Sequence, residues 1–280
     1  MKNEKVLGLL GPEGTFGEIA ALKYKKISGK HFEFNFFNSH QDIINSLKQG
    51  KISEALVAVE NMINGTVREV LDLIYENNLK IKQEIIIPVH LILASKNKDE
   101  KIEKIVSHPV AINQINKYLK KNYPAVKLER VESTAKAMEL VSRDIIKKAG
   151  AVGPLNAVKK YNLKVIDKEI EDYKNNQTRF LILARKDARF LKNKKYKTSL
   201  VVYNKRDYPG LLFSILKHFA KAGINLTKIE SRPTKRKLGT YIFYIDFTGH
   251  RKQGKIKKIL DKINKKVTQV NILGSYSIDE

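Results

Sequence analysis

A chain of 280 residues with 42% apolar residues is long enough for one large or two ordinary domains with real cores, and the absence of cysteine excludes disulfides, thiolate metal sites and a cysteine nucleophile. The formal net charge of +25, from 54 Lys+Arg against 29 Asp+Glu, is spread over nearly every expected helical face rather than interleaved with aromatics, which argues against a nucleic-acid partner and for a solvated surface that attracts small anions. No window approaches the roughly 20 apolar residues of a membrane helix, and Met1-Lys2-Asn3-Glu4-Lys5 runs straight into an apolar strand without the features of a secretion signal, so a cytoplasmic chain with no membrane partner is expected.

In chain order, residues 6–10 form an apolar run closed by Gly11-Pro12 and predict a buried strand. Residues 18–26 predict a helix, and residues 32–37 a second strand whose aromatics alternate around Glu33 and Asn35. Ser39 is placed to cap a helix over 39–49, with Ile43, Ile44 and Leu47 as its apolar stripe. Residues 55–59 predict a third buried strand. Residues 66–77 predict a helix capped by Thr66 and faced by Val67, Val70, Leu71 and Ile74. A second unit is expected to open near 85–93. It continues through a strand at 105–107, a helix at 112–121, a strand at 127–131, a helix at 133–148, a strand at 151–153 and a helix at 155–161. Residues 165–185 then return to the first unit. Strands alternating with helices predict parallel α/β sheets, and two lobes joined by two crossovers enclose a cleft at the carboxyl ends of the strands.

Residues 188–198 are basic and poor in apolar side chains, and read as a linker. Beyond it come a strand at 199–203, a helix at 209–221, strands at 225–231 and 240–247, a helix at 255–265 and a strand at 267–276. This βαββαβ order is ferredoxin-like. The lysine-rich last helix has an ordinary buried face from Ile256, Ile259, Leu260 and Ile263.

Several polar or glycine-containing islands fall where strands meet helices. Gly11-Pro12-Glu13-Gly14-Thr15-Phe16-Gly17 is either a plain turn or a cradle that offers helix N–H groups to an anion. Glu60-Asn61 ends the third strand, where Asn61 either meets a substrate or braces the loop. Ser107-His108-Pro109 offers an imidazole that is either structural or an acid–base group, and Ser133-Thr134-Ala135 offers hydroxyls at a helix start. Asn176-Gln177-Thr178-Arg179-Phe180 then sets a hydroxyl beside a guanidinium at a loop-to-strand junction. A hydroxyl can donate to a leaving group, and a guanidinium pairs with a carboxylate; a plain strand start is the alternative. No set of His, Asp and Glu has metal-ligand spacing, and there is no Ser-His-Asp constellation, P-loop or GxGxxG. The islands describe a metal-free site for a small anion.

In this order the islands resemble the prephenate dehydratase family: Gly11 to Phe16, Glu60-Asn61 with Gly65-Thr66-Val67, Ser107-His108-Pro109, Ser133-Thr134-Ala135 and Thr178-Arg179-Phe180. Pro209-Gly210-Leu211-Leu212-Phe213 and Asn225 onward to Pro233 resemble a phenylalanine-sensing ACT domain. The resemblance implies an α/β catalytic part, bilobal like a type 2 periplasmic binding protein, over 1–187. Its lobe one would take about 1–84 plus 166–187 and its lobe two about 85–165, with the linker and then an α+β ferredoxin-like ACT domain over 199–280. It implies a lyase that turns prephenate into phenylpyruvate, carbon dioxide and water without cofactor or metal. Thr178 would be the catalytic donor to the departing hydroxyl. Thr15, Phe16, Asn61, Ser133 and Thr134 would orient the substrate, Arg179 would hold a carboxylate or else brace the loop, and Phe180 would line the pocket beside the ring. Pro209, Gly210, Leu211 and Leu212 with Asn225, Leu226, Glu230 and Ser231 would bind L-phenylalanine as effector between subunits of a homodimer or homotetramer.

Three positions depart from the family pattern. Gly17 and Met62 stand where the family usually has serine, and Ala58 where it usually has proline. The lost hydroxyls predict weaker substrate binding, with Met62 obstructing the site. They also keep open a second reading, a non-catalytic aromatic-acid-binding protein of the same fold.

Overall fold

The computed structural model describes residues 5–99, 101–192, 194–234 and 240–278. Residues 1–4, which entered the reading of the N-terminus, lie outside the described residues, as do 235–239 and 279–280 of the expected C-terminal domain. The described residues form two compact units, one from 5–70 and 85–180, the other from 71–84 and 181–278. Among the described residues no helix is long and apolar enough to cross a membrane.

The first unit begins with β1 (Lys5–Leu10), α1 (Phe16–Ser28), β2 (Phe32–Phe37), α2 (His40–Gln49), β3 (Glu54–Asn61) and the short β4 (Gly65–Thr66). β1 pairs in parallel with both β2 and β3. Ser39 caps α2 as expected, accepting from the Asp42 amide at 3.1 Å. Thr66 does not cap the next helix, α3 (Arg68–Glu76). It pairs antiparallel with Glu60 in a hairpin instead, because the Asn61 side chain accepts the amides of Ile63 and Asn64 in an Asx turn, and Gly65 takes the positive φ of +75° that closes it.

After β5 (Lys80–Pro88) the chain enters the second lobe through β6 (Ile92–Ser95), β7 (Lys104–Ser107), α4 (Pro109–Asn113), α5 (Asn116–Asn122), β8 (Lys127–Arg130), α6 (Thr134–Ser142), β9 (Ala149–Gly153), α7 (Leu155–Lys160) and β10 (Lys164–Asp167). The sheet order is β10-β6-β9-β7-β8, so the return crossing begins after Asp167, not at 165. Small residues of α6 and β9 (Ala137, Ala149, Ala151) let helix and sheet approach closely around Met138. Where a single helix was expected over 112–121 there are two. The Asp172 carboxylate accepts the Lys117 amide at 3.1 Å and starts a new helix, while the Asp172 amide donates to the Gln114 carbonyl at 2.7 Å. The helix expected over 133–148 stops at Ser142, just before Asp144 with its left-handed φ of +60°.

The two crossovers between the lobes, residues 89–91 and 168–176, are bonded to each other. The Val89 amide donates to the Asn176 carbonyl at 2.8 Å, the Ile170 amide to the Leu91 carbonyl at 3.0 Å, and the Leu91 amide to the buried Glu171 carboxylate at 2.9 Å. β11 (Gln177–Ala184) then lies beside β3 in lobe one.

The second unit contains β12 (Tyr196–Tyr203), α8 (Leu211–Lys221), β13 (Leu226–Pro233), β14 (Tyr241–Thr248), α9 (Gly254–Asn264) and β15 (Gln269–Ser277). These strands run in the order β13-β14-β12-β15 with antiparallel pairing, the ferredoxin-like arrangement, over a core of Leu200, Ile215, Phe219, Phe247, Ile259 and their neighbours. Two boundaries differ from expectation. Residues 196–198, read as linker, open β12, because Lys197 is neutralised by both Glu84 oxygens (2.9 and 2.8 Å) and Tyr196 is buried. Residues 71–84 group with this unit instead of lobe one, held by Arg232 on Asp72 at 2.7 Å and by the Lys80 ammonium on the Ile272 carbonyl at 3.0 Å.

His250 is 2% exposed and packs between Phe190 and Tyr196, with ring centroids 4.2 and 4.7 Å away, while its Nδ1 accepts the Lys252 amide at 3.0 Å. Burial, reinforced by Arg251 and Lys252, pushes this imidazole down from 6.5 to about 4. The unfolded chain binds this proton first, so the neutral ring's stabilisation is whole above about pH 6.5 and is lost as the pH falls toward about 4. His250→Asn, which keeps the acceptor but cannot titrate there, is expected to fall less in stability than the wild type between pH 7 and 4.5 in urea unfolding; equal falls would refute the assignment.

Candidate active site

A cleft of about 370 Å³ lies in the first unit between its two lobes. Leu56, Val67, Val89, Leu91, Ala111 and Phe180 make it apolar, and polar groups enter from the ends of strands and helices and the loops between them. A flat, largely apolar ring carrying a few oxygen substituents fits such a lining.

β11 supplies the central polar group. Successive side chains of a strand point to opposite faces, so Thr178 and Phe180 reach the cleft together and Arg179 does not. The Arg179 guanidinium lies 3.4 Å from Glu60 Oε2 and is mostly buried there. Of the two roles expected for Arg179, this contact matches the brace, joining β11 to the end of β3, and Arg179 is not among the residues that line the cleft.

Asn61 fixes the Thr178 hydroxyl. Its Oδ1 accepts from Ile63 N, Asn64 N and Asn64 Nδ2 at 2.9–3.1 Å, which settles the direction of the amide. Its Nδ2 thus faces the other way and donates to Thr178 Oγ1 at 2.9 Å, to Asn176 Oδ1 at 3.0 Å and to the Gln177 carbonyl at 3.1 Å. With an N–H already donating into its oxygen, the threonine is left with its own proton to give outward.

The break between α4 and α5 brings in a further residue. Gln114, 4% exposed, sits at the end of α4, and its Oε1 accepts from Asn176 Nδ2 at 3.1 Å. That orients its amide N–H groups away from Asn176, and Gln114 lines the cleft.

Among the described residues no lysine or arginine lines the cleft. Positive potential comes instead from helix starts: Thr15 stands at the N-cap of α1 and Ser133 at that of α6, where Ser133 Oγ accepts the Lys136 amide at 3.0 Å. His108 caps α4 through Nδ1, which accepts the Val110 amide at 3.2 Å, so a neutral ring carries its proton on Nε2. Burial holds the His108 pKa below the ordinary value, and does the same for His40, where nearby Glu69 opposes it in part.

Of the residues read from the sequence, Thr15, Phe16, Asn61, Ser133, Thr134, Thr178 and Phe180 all line the cleft. Met62 does not obstruct it: its side chain is 69% exposed and faces a separate depression with Tyr173, while its amide donates to the Gln177 carbonyl at 2.9 Å. Gln114, His40 and Asn64 line the cleft and were not expected there. Gln114 falls in an ordinary helical pattern that carries no signal for it. Of the effector residues, Gly210 is the N-cap of α8 at a φ of +87°, with Pro209 before it and Leu211 and Leu212 in its first turn. Asn225 precedes β13, which carries Leu226, Glu230 and Ser231.

The family model for prephenate dehydratase matches residues 7–188 and that for the ACT domain residues 198–265. The chain is 39% identical over 268 residues to the prephenate dehydratase of Methanocaldococcus jannaschii, covering 95% of this chain and 96% of that one. It is 37% identical to the bifunctional chorismate mutase/prephenate dehydratase of Aquifex aeolicus, covering 95% of this chain and 72% of that one. Among solved structures, a prephenate dehydratase from Arthrobacter aurescens in complex with L-Phe superposes with a TM-score of 0.88 at 29% identity, over 97% of this chain and 90% of that one.

Gly17 leaves a space that a hydroxyl fits. A Cβ there would lie 3.4 Å from Thr15 Oγ1, which is buried with no hydrogen-bond partner among the described residues, and 3.7 Å from the Leu10 carbonyl. Gly17→Ser is expected to raise the thermal midpoint by about 1–3 °C, from better helix propensity and a partner for Thr15. A midpoint below that of the wild type would show that the space is not there.

Proposed function

The chain belongs to the prephenate dehydratase family, and we propose that Thr178 is the group in its cleft that helps the ring hydroxyl of prephenate to leave. The chain is a carbon–oxygen lyase. The bond to the ring carboxylate breaks and releases carbon dioxide, its electron pair enters the ring, and the hydroxyl departs from the opposite ring carbon and takes up a proton as water. The product, phenylpyruvate, is aromatic, so the driving force resides in the substrate and the protein has chiefly to stabilise the leaving oxygen.

The observation that carries this reading is the 2.9 Å contact from Asn61 Nδ2 to Thr178 Oγ1. It leaves the threonine a hydrogen-bond donor aimed at the cleft. A neutral hydroxyl is a weak acid, so it acts by hydrogen bonding to developing negative charge rather than by full proton transfer. Phe180 and the aliphatic walls hold the ring. The two carboxylates meet the helix starts at Thr15-Phe16 and Ser133-Thr134 together with the Gln114 amide. The net charge of +25 draws the dianion in.

L-Phenylalanine is the effector, acting through the ACT domain. Its site forms where β13, an edge strand of its unit's sheet, and the start of α8 meet a second copy of the chain. Exposed apolar side chains at these elements, Ile229 on β13 and Phe213 on α8, suit burial in a homodimer or a larger homo-oligomer.

Phenylpyruvate formation from prephenate tests the reading. Thr178→Ala should lower kcat by about 10²–10⁴-fold, Thr178→Ser should keep most of it, and phenylalanine should shift the wild-type rate. Undiminished turnover by Thr178→Ala would remove Thr178 from the chemistry.

A further inference from the structure

Asn176 is 1% exposed and does not line the cleft, yet every polar group it owns is engaged at the junction of the lobes. Its carbonyl accepts the Val89 amide of the other crossover at 2.8 Å, and its own amide donates to the Tyr173 carbonyl at 3.2 Å. Its Oδ1 accepts from Asn61 of lobe one at 3.0 Å, and its Nδ2 donates to Gln114 of lobe two at 3.1 Å. One buried carboxamide in the hinge thus holds one amide from each lobe. Asn61 in turn donates to Thr178 Oγ1, and Gln114, whose Oε1 is turned to Asn176, lines the cleft.

We propose that Asn176 is a positioning residue that ties lobe closure to the aim of the two donors, Thr178 Oγ and Gln114 Nε2, so that both point at the substrate only when the lobes are together. The proposal rests on the reading of Thr178 as the donor to the leaving hydroxyl. The mechanism is geometric: if the lobes part, Asn61 and Gln114 cannot both reach one side chain of fixed width. A bracing role alone would make only the number of hydrogen bonds matter; here their direction matters. The Nδ2 of Asn176 forces Gln114 to turn its oxygen inward and its N–H groups toward the cleft.

Asn176→Asp separates the two roles, since it keeps size and shape and still accepts from Asn61. It has no hydrogen for Gln114 Oε1, so the glutamine amide turns over and presents an oxygen to an anionic substrate. With prephenate at pH 8, measured below the thermal midpoint that the buried charge lowers, kcat should fall about 100-fold. The variant-to-wild-type rate ratio should recover as the pH is lowered, because the protonated carboxyl, favoured by burial, donates as the amide did. In a Gln114→Ala background the same substitution should cost little more than Gln114→Ala alone. Wild-type kcat in Asn176→Asp, losses that multiply in the double variant, or a loss that does not recover in acid would each overturn the proposal. If the aspartate variant does not fold, Asn176→Ala decides the matter: its kcat should fall by more than that of Gln114→Ala, since it releases both Asn61 and Gln114, and a wild-type kcat would overturn the proposal. Thr178→Ala measured alongside separates the two readings. Undiminished turnover there brings down the Thr178 assignment, whereas an inactive Thr178→Ala with multiplying losses at 176 and 114 overturns Asn176 alone.

Discussion

The hydrogen bond from Asn61 Nδ2 to Thr178 Oγ1 is the contact from which the rest of the site takes its direction. A threonine hydroxyl on an exposed strand end rotates freely and donates or accepts as its surroundings demand. Here the amide removes that freedom. Three donors converging on Asn61 Oδ1 fix the amide, and the amide fixes the hydroxyl. The hairpin of β3 and β4 serves this end, since the turn that closes it supplies all three donors. Preorganised dipoles of this kind need no reorganisation as the reaction proceeds, which is where their catalytic worth lies.

The cleft suits a dianion although, among the described residues, no lysine or arginine lines it. Cationic side chains in an apolar cleft would carry a large desolvation cost. Backbone N–H groups at the starts of α1 and α6 supply positive potential already desolvated by the fold. The lysines remain on the outside, where they act over long range on the encounter and fade with salt. Arg179, next in sequence to Thr178, pairs with Glu60 and holds the ends of β3 and β11 together.

Much of this was legible from local pattern. The alternation of strands and helices, the cap at Ser39 and the islands at 15–16, 61, 133–134 and 178–180 depend on neighbours within a few residues, and such signals survive in a linear string. What was hidden depends on partners far along the chain. Asp172 breaks a periodic helix 55 residues upstream by capping its second half, and that break brings Gln114 to the cleft. Arg179 read as either an anion grip or a brace until its carboxylate partner at Glu60, 119 residues away, was in view. Tyr196 to Thr198 read as a basic linker because Lys197 meets its counter-charge only across 113 residues, at Glu84. Met62 misled for a different reason: a strand end has two faces, and the sequence does not say which of them an adjacent loop residue takes.

The control of Thr178 by Asn61 is tested most directly by kcat for phenylpyruvate formation in Asn61→Asp. The substitution conserves shape but replaces the N–H donor to Thr178 by an oxygen, so the threonine must turn its proton back toward residue 61. At saturating substrate the expected kcat is lowered by about 10²–10⁴-fold, close to that of Thr178→Ala. A kcat within a few-fold of the wild type would contradict this, and would mean that the direction of the Thr178 hydroxyl is not set by Asn61.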